Sequence, residues 1–132
     1  MSHESTATVL LVEDFDRWRY QERKLMRAHP EWKIISEACD GAEGVRKAAE
    51  LQPDIILLDI GLPNLNGIEA AKRIRQVSPQ AHIVFVTQDG DKDIMAAALS
   101  IVGTRYVLKS NARTQLVEAI AAALADRYTA AL

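Results

Sequence analysis

Four short apolar runs punctuate the chain: TVLLV at residues 8–12, DIILL at 54–58, HIVFV at 82–86 and RYVL at 105–108. A weaker fifth, WKIIS, lies at 32–36. These runs are rich in β-branched residues and mostly continuous rather than alternating, as expected of strands covered on both faces of a parallel sheet. The stretches between them carry helical spacing. After Asn66, the residues Ile68, Ala71, Ile74 and Arg75 fall near one face, while residues 41–51 place Val45, Ala48, Ala49 and Leu51 together. The last helix is predicted over residues 112–128, with Leu116, Val117, Ile120 and Leu124 on one stripe, and a further helix near 91–101. The first helix is the least regular, because Gln21 and Glu22 interrupt the stripe of Phe15, Trp18, Leu25 and Met26. Five strands alternating with five helices imply right-handed βαβ units, hence an α/β chain with one doubly wound parallel sheet and helices on both faces.

Polar residues gather at the ends of these runs. Glu13 and Asp14 follow the first strand, Asp59 the third, Thr87 the fourth and Lys109 the fifth. Open α/β sheets bind ligands beyond the carboxyl ends of their strands, at the point where strand order reverses. In a flavodoxin-like order 2-1-3-4-5, the first and third strands are neighbours across that switch, so three carboxylates would meet beside a hydroxyl and an ammonium. Two carboxylates about 4 Å apart repel by roughly 4 kcal/mol at an effective dielectric of about 20. Lys109 supplies one compensating charge, and Mg²⁺, which prefers few carboxylates and keeps its waters, suits the remainder. A carboxylate beside such an ion can attack phosphorus, and phosphoryl transfer depends mainly on positioning and charge stabilisation. Asp59, central in the sheet, is the candidate nucleophile. Glu13 and Asp14 are the candidate metal holders, and Thr87 and Lys109 would grip phosphoryl oxygens.

Composition narrows the classes further. At 132 residues the expectation is one domain, over residues 8–127, between a flexible tail at 1–7 and a tail or linker start at 128–132. Cys39 is the single cysteine, which excludes an internal disulfide and a multi-cysteine zinc site. His3, His29 and His82 have no ligand spacing to one another. With 16 basic and 18 acidic residues there is no positive excess, so these residues are not expected to bind nucleic acid. No apolar run approaches the ~20 residues that span a bilayer, and the first eight residues lack the pattern of a signal peptide, so a cytoplasmic setting without membrane contact is expected.

VLLVED at residues 9–14, PDIILLDIGLPNLNGIEAAKRIR at 53–75, IVFVT at 83–87 and YVLK at 106–109 resemble the receiver domain of two-component response regulators. The likeness extends over about residues 8–127, and the loop and helix pattern is most similar to receivers attached to LuxR-type DNA-binding domains. The resemblance implies that Asp59 is phosphorylated by a histidine kinase or a histidine phosphotransfer protein. Mg²⁺ would rest on Asp14, Asp59, the backbone carbonyl of Gly61 and, through water, Glu13. It also implies that Thr87 and Tyr106 act as the switch, altering a surface read by a downstream effector, a tethered output domain or a second copy in a homodimer. Such a domain catalyses its own phosphorylation and dephosphorylation and turns over no metabolite.

The sequence departs from the family at three places. Gln88 stands where a small residue usually follows the Thr, and is expected to modulate access to Asp59. Gly103 replaces the usual glycine arrangement before the fifth strand and is expected to supply the positive φ there. Ser110 takes the place of a Pro that often forms a cis peptide, so the geometry of the Lys109–Ser110 bond is left open. The alternative is a degenerate receiver that binds protein without being phosphorylated. A haloacid-dehalogenase-like phosphatase needs a second Asp two residues past its nucleophile, where this chain has Gly61, and a flavodoxin would set Glu13 and Asp14 against its flavin phosphate.

Overall fold

The strands come first because they carry the site. A computed structural model of the chain describes residues 6–131, with side chains as far as residue 126. Its elements run β1 (Ala7–Val12), α1 (Asp16–Met26), β2 (Trp32–Ala38), α2 (Gly41–Leu51), β3 (Ile55–Leu58), α3 (Gly67–Val77), β4 (His82–Thr87), α4 (Lys92–Leu99), β5 (Thr104–Leu108) and α5 (Ala112–Ala131). All strand pairs are parallel, as the apolar pattern predicts, and the order β2-β1-β3-β4-β5 is the one expected of the flavodoxin-like fold.

The continuous apolar runs have the explanation expected of them. Leu10, Val12, Ile56, Leu58, Ile83 and Phe85 pack against α2, α3 and α4, on the small residues Ala48, Ala70, Ala71 and Ala98 and on Ile74. Val9, Leu11, Ile55, Leu57, Val84, Val86 and Val107 pack on the other face against Met26 of α1 and Leu116, Ile120 and Ala123 of α5. Successive strand residues point to opposite faces, so a strand buried on both sides has no polar alternate.

Boundaries shift where pairing or capping decides them. β1 opens at Ala7, inside the expected tail, because Ala7 N–H donates to the Glu31 carbonyl (2.8 Å) and Ala7 pairs with Trp32. The remainder of that tail, apart from Thr6, lies outside the described residues. β2 continues to Ala38, two residues past the prediction, since Glu37 and Ala38 pair with Leu11 and Val12. Asp54 is not in β3, and its Oδ2 instead accepts from Thr8 N–H at 2.8 Å. α4 is shorter than expected and starts after Asp91, whose Oδ1 accepts from Asp93 and Ile94 N–H. α5 runs to Ala131, through most of the expected C-terminal tail.

The apolar spacing of α2 finds only part of its buried face: Ala48 is buried and Val45 packs against the core, as expected. Gly41, Gly44 and Ala48 are buried, whereas Ala49 and Leu51 are exposed, because α2 lies so close to β1 and the loop before α3 that only the smallest residues fit. In α3 the buried set is Gly67, Ala70, Ala71 and Ile74. Ile68 and Arg75 are only partly buried, and Arg75 donates to the carbonyls of Pro79 (2.9 Å) and Ala81 (2.7 Å). Gly103 has φ +75°, as expected, and no described peptide bond is cis, so Lys109–Ser110 is trans.

The start of α3 is pressed against the loop that follows β3. Gly67 N–H donates to the Ile60 carbonyl at 2.8 Å, and a Cβ on Gly67 would lie 2.6 Å from Ile60 Cα, overlapping the Asp59–Ile60 backbone. Gly67→Ala is therefore expected to destabilise the fold by about 1–3 kcal/mol, the usual cost of overpacking, seen as a lower midpoint in urea.

Candidate functional site

Each candidate side chain stands at or just past the carboxyl end of a strand. Glu13 and Asp14 follow β1, Asp59 follows β3, Thr87 closes β4, and Lys109 follows β5 in a 3-10 turn (Lys109–Asn111). Because β1, β3, β4 and β5 are consecutive in the sheet, these ends form one edge. Lys109 Nζ lies 2.9 Å from Glu13 Oε1 and 3.6 Å from Asp59 Oδ2. Asp59 is nearly buried, at 7% exposed, and its Oδ1 accepts from Ile60 N–H at 2.8 Å. Glu13 is buried, with Oε2 accepting from Phe15 N–H at 3.1 Å, while Asp14 is exposed. Burial raises the Glu13 carboxyl above its ordinary range, against the opposing pull of Lys109.

Glu13, Asp14 and Asp59 each offer an oxygen within 4.8 Å of the others. One ammonium against three carboxylates leaves a negative excess, and a donor set made wholly of oxygen suits a hard divalent cation such as Mg²⁺. Beside this cluster opens a cleft of about 380 Å³ lined by Asp59, Ile60, Gly61, Thr87, Gln88, Asp89 and Lys109. Thr87 is buried, its Oγ1 accepting from Asp89 N–H at 3.3 Å, and Gln88 is exposed at the rim. Tyr106, half-buried in β5, donates its hydroxyl to the Asp89 carbonyl and packs beside Phe85, ring centroids 6.2 Å apart. Burial, with Asp89 and Asp59 adding to it, raises the phenol above its ordinary range, so it stays a donor.

Residues 9–121 match the family described as the response regulator receiver domain. The chain belongs to that family. The receiver is 36% identical over 115 residues to the transcriptional regulatory protein LiaR of Bacillus subtilis, covering 87% of this chain and 54% of LiaR. It is 31% identical over 120 residues to the nitrate/nitrite response regulator protein NarL of Escherichia coli, covering 91% of this chain and 56% of NarL. It thus spans about half the length of these curated relatives. Among solved structures, a LuxR-family two-component response regulator from Aurantimonas superimposes with a TM-score of 0.87 at 36% identity, over 93% of this chain and 88% of that one. The response regulator domain of Thermotoga maritima CheB gives 0.82 at 31% identity, over 89% and 96%. Receiver domains bind Mg²⁺ at an acidic cluster, and the receiver described here has an acidic group able to hold one. No described helix is long and apolar enough to cross a membrane.

Two neighbours of the receiver site escaped the sequence reading. Trp18 presents its ring to Lys109 Nζ, 5.2 Å from the centroid, and so walls the ammonium from the α1 side. Glu22, one turn further along α1, is 1% exposed, and its Oε1 has no hydrogen-bond partner among the described residues. The signal was the interruption of the α1 stripe: Glu22 sits four residues after Trp18 and four before Met26, on the inward face. Burial drives its carboxyl well above the ordinary value of 4.5, and the Glu13 charge reinforces the rise.

The folded receiver therefore keeps a proton on Glu22 to higher pH than the unfolded chain, which gives it up around the ordinary value of 4.5. Stability falls wherever the native state binds the extra proton and pH rises. Glu22→Gln, which has no proton to keep, is expected to unfold at a higher temperature than the wild type at pH 8, with the gap closing as pH drops below 4.5. Melts across that range test this, and a gap that widens on acidification would contradict it.

Proposed function

We propose that this receiver accepts a phosphoryl group on Asp59 from a phosphohistidine of a sensor kinase or phosphotransfer protein, and that the added charge alters a surface read by a partner. The observation that supports this most directly is the placement of a nearly buried carboxylate, Asp59, at the floor of an open cleft with Lys109 and Thr87 on its walls. An Asp59 oxygen attacks phosphorus as the phosphorus–nitrogen bond of the donor breaks. The electron pair leaves with the imidazole, which takes up a proton, and Asp59 becomes an acyl phosphate. Lys109, already 3.6 Å from Asp59 Oδ2, follows the negative charge onto a phosphoryl oxygen, and the Thr87 hydroxyl turns from Asp89 N–H to donate to another. Asp14, Asp59, the Gly61 carbonyl and, through water, Glu13 are the groups that would hold Mg²⁺, which when bound neutralises charge on the transferred oxygens. Water later cleaves the acyl phosphate, and Gln88 at the rim governs its approach.

The switch follows from the same contacts. Thr87 Oγ1 and the Tyr106 hydroxyl both bond the backbone of Asp89, one its N–H and the other its carbonyl. A Thr87 drawn towards phosphate releases one side of this link and frees Tyr106 and the β4–α4 loop to repack. That is the local bistability a modification switch requires. The partners proposed are a histidine kinase or phosphotransfer protein as donor, and an output domain, a separate effector or a second copy of the chain as reader.

Asp59→Asn is expected to abolish labelling by acetyl phosphate with Mg²⁺, read as the loss of one phosphoryl mass by intact-protein mass spectrometry. Undiminished labelling of that variant would overturn the assignment, and a wild type that never labels would leave a phosphorylation-independent binding module. Asp14→Ala removes one of three crowded carboxylates, so without Mg²⁺ it is expected to be more stable than the wild type by about 0.5–2 kcal/mol. Mg²⁺ at ten times its dissociation constant should stabilise the wild type by about 1.4 kcal/mol and the variant much less. Equal responses in thermal melts would count against the pocket.

A further inference from the structure

Asp14 is exposed and takes no hydrogen bond or ion pair among the described residues, so no side-chain contact aims its carboxylate and the direction of its Cα–Cβ bond is left to the backbone. That backbone is held from outside the pocket. Arg19, on the first turns of α1 and only 14% exposed in its side chain, sends Nη1 to the Glu13 carbonyl at 2.7 Å. The same nitrogen lies 3.3 Å from Cys39 Sγ, Nη2 pairs with Asp16, and Nε lies 3.2 Å from Glu37 Oε1. Glu37 is itself fixed by Arg23, whose Nη1 donates to both of its oxygens at 2.8 and 2.9 Å. All three nitrogens of the Arg19 fork are thus engaged, on the residue after β1, on α1, on β2 and on the residue after β2. A rigid planar cation is suited to this task and a lysine is not.

The carbonyl that Arg19 holds is the last one before Asp14. On its other side Glu13 N–H donates to the Ala38 carbonyl at 3.0 Å, and the Glu13 carboxylate caps Phe15 N–H. With the peptide pinned before it and the helix start pinned after it, the Cα–Cβ bond of Asp14 is held towards Glu13 and Asp59. We infer that Arg19 is the positioning residue of the acidic pocket: it orients the β1–α1 turn so that Asp14 joins Glu13 and Asp59, holding the Glu13 backbone carbonyl while touching none of the three carboxylates. The inference rests on the reading of that pocket as a Mg²⁺ site.

Calorimetric titration of the full chain with MgCl₂ tests it. Outer partners that orient ligands are worth about 10–100-fold in metal affinity, so Arg19→Met is expected to bind Mg²⁺ about tenfold more weakly, and Arg19→Lys to fall between it and the wild type. Arg23→Met shares Glu37 but does not reach the turn, and should bind within about twofold of the wild type. In an Asp14→Ala background the Arg19→Met change should cost nothing further, because the residue it positions is gone. Should Arg19→Met not fold, Arg19→Lys carries both comparisons. Unchanged affinity in the Arg19 variants, or a full additional loss on top of Asp14→Ala, would overturn the inference while leaving the Mg²⁺ reading standing. A wild type that does not bind Mg²⁺ would overturn both.

Discussion

One ammonium among too many carboxylates organises this molecule. Lys109 is the only cation within ion-pair distance of Glu13 and Asp59 among the described residues, and it reaches them because β5 ends two strands from β3 on the same edge of the sheet. Its pair with Glu13 is short and dry, its pair with Asp59 longer. That inequality leaves Asp59 the less tightly paired of the two carboxylates. The pocket is left negative, which an isolated fold would avoid and a cation-dependent site requires.

Around this pair the receiver is arranged in two tiers. The inner tier consists of side chains in or beside the cleft: Asp59, Thr87, Lys109 and the exposed Asp14. The outer tier holds them in place without entering it. Trp18 covers Lys109, Arg19 ties the turn before Asp14, Gly67 lets α3 approach the Asp59 backbone, and Tyr106 shares Asp89 with Thr87. Glu22 belongs to neither tier in the ordinary sense. It is a buried carboxyl behind the pocket whose pKa is driven up by burial and by the charges of Glu13 and Asp59.

The helices covering the sheet show why apolar spacing is a weaker guide to packing than to element type. In α2 the buried residues are Gly41, against Leu65 in the loop before α3, and Gly44 and Ala48, against the sheet, while the larger Leu51 faces outward. A hydrophobic count favours large residues, but a helix lying tightly on a strand selects small ones, and a Cβ on Gly44 would already crowd the Val12 side chain.

The chain of residues alone determined the α/β class, the positions of the five strands and the placement of Glu13, Asp14, Asp59, Thr87 and Lys109 at strand ends. All of these depend on local pattern: a run buried on both faces must be apolar throughout, and the first polar residue after it marks the edge. Tertiary structure decided which of those residues pair, with Lys109 taking Glu13 more closely than Asp59. It also decided that Glu22 is buried with an oxygen left unpartnered, and that Arg19 reaches across to β1 and β2. These outcomes depend on how far α1 stands from the sheet and how it is rotated, a distance and an angle set by packing between elements far apart in sequence. The spacing within α1 puts Glu22 on the inward face but encodes neither its unpartnered oxygen nor the reach of Arg19.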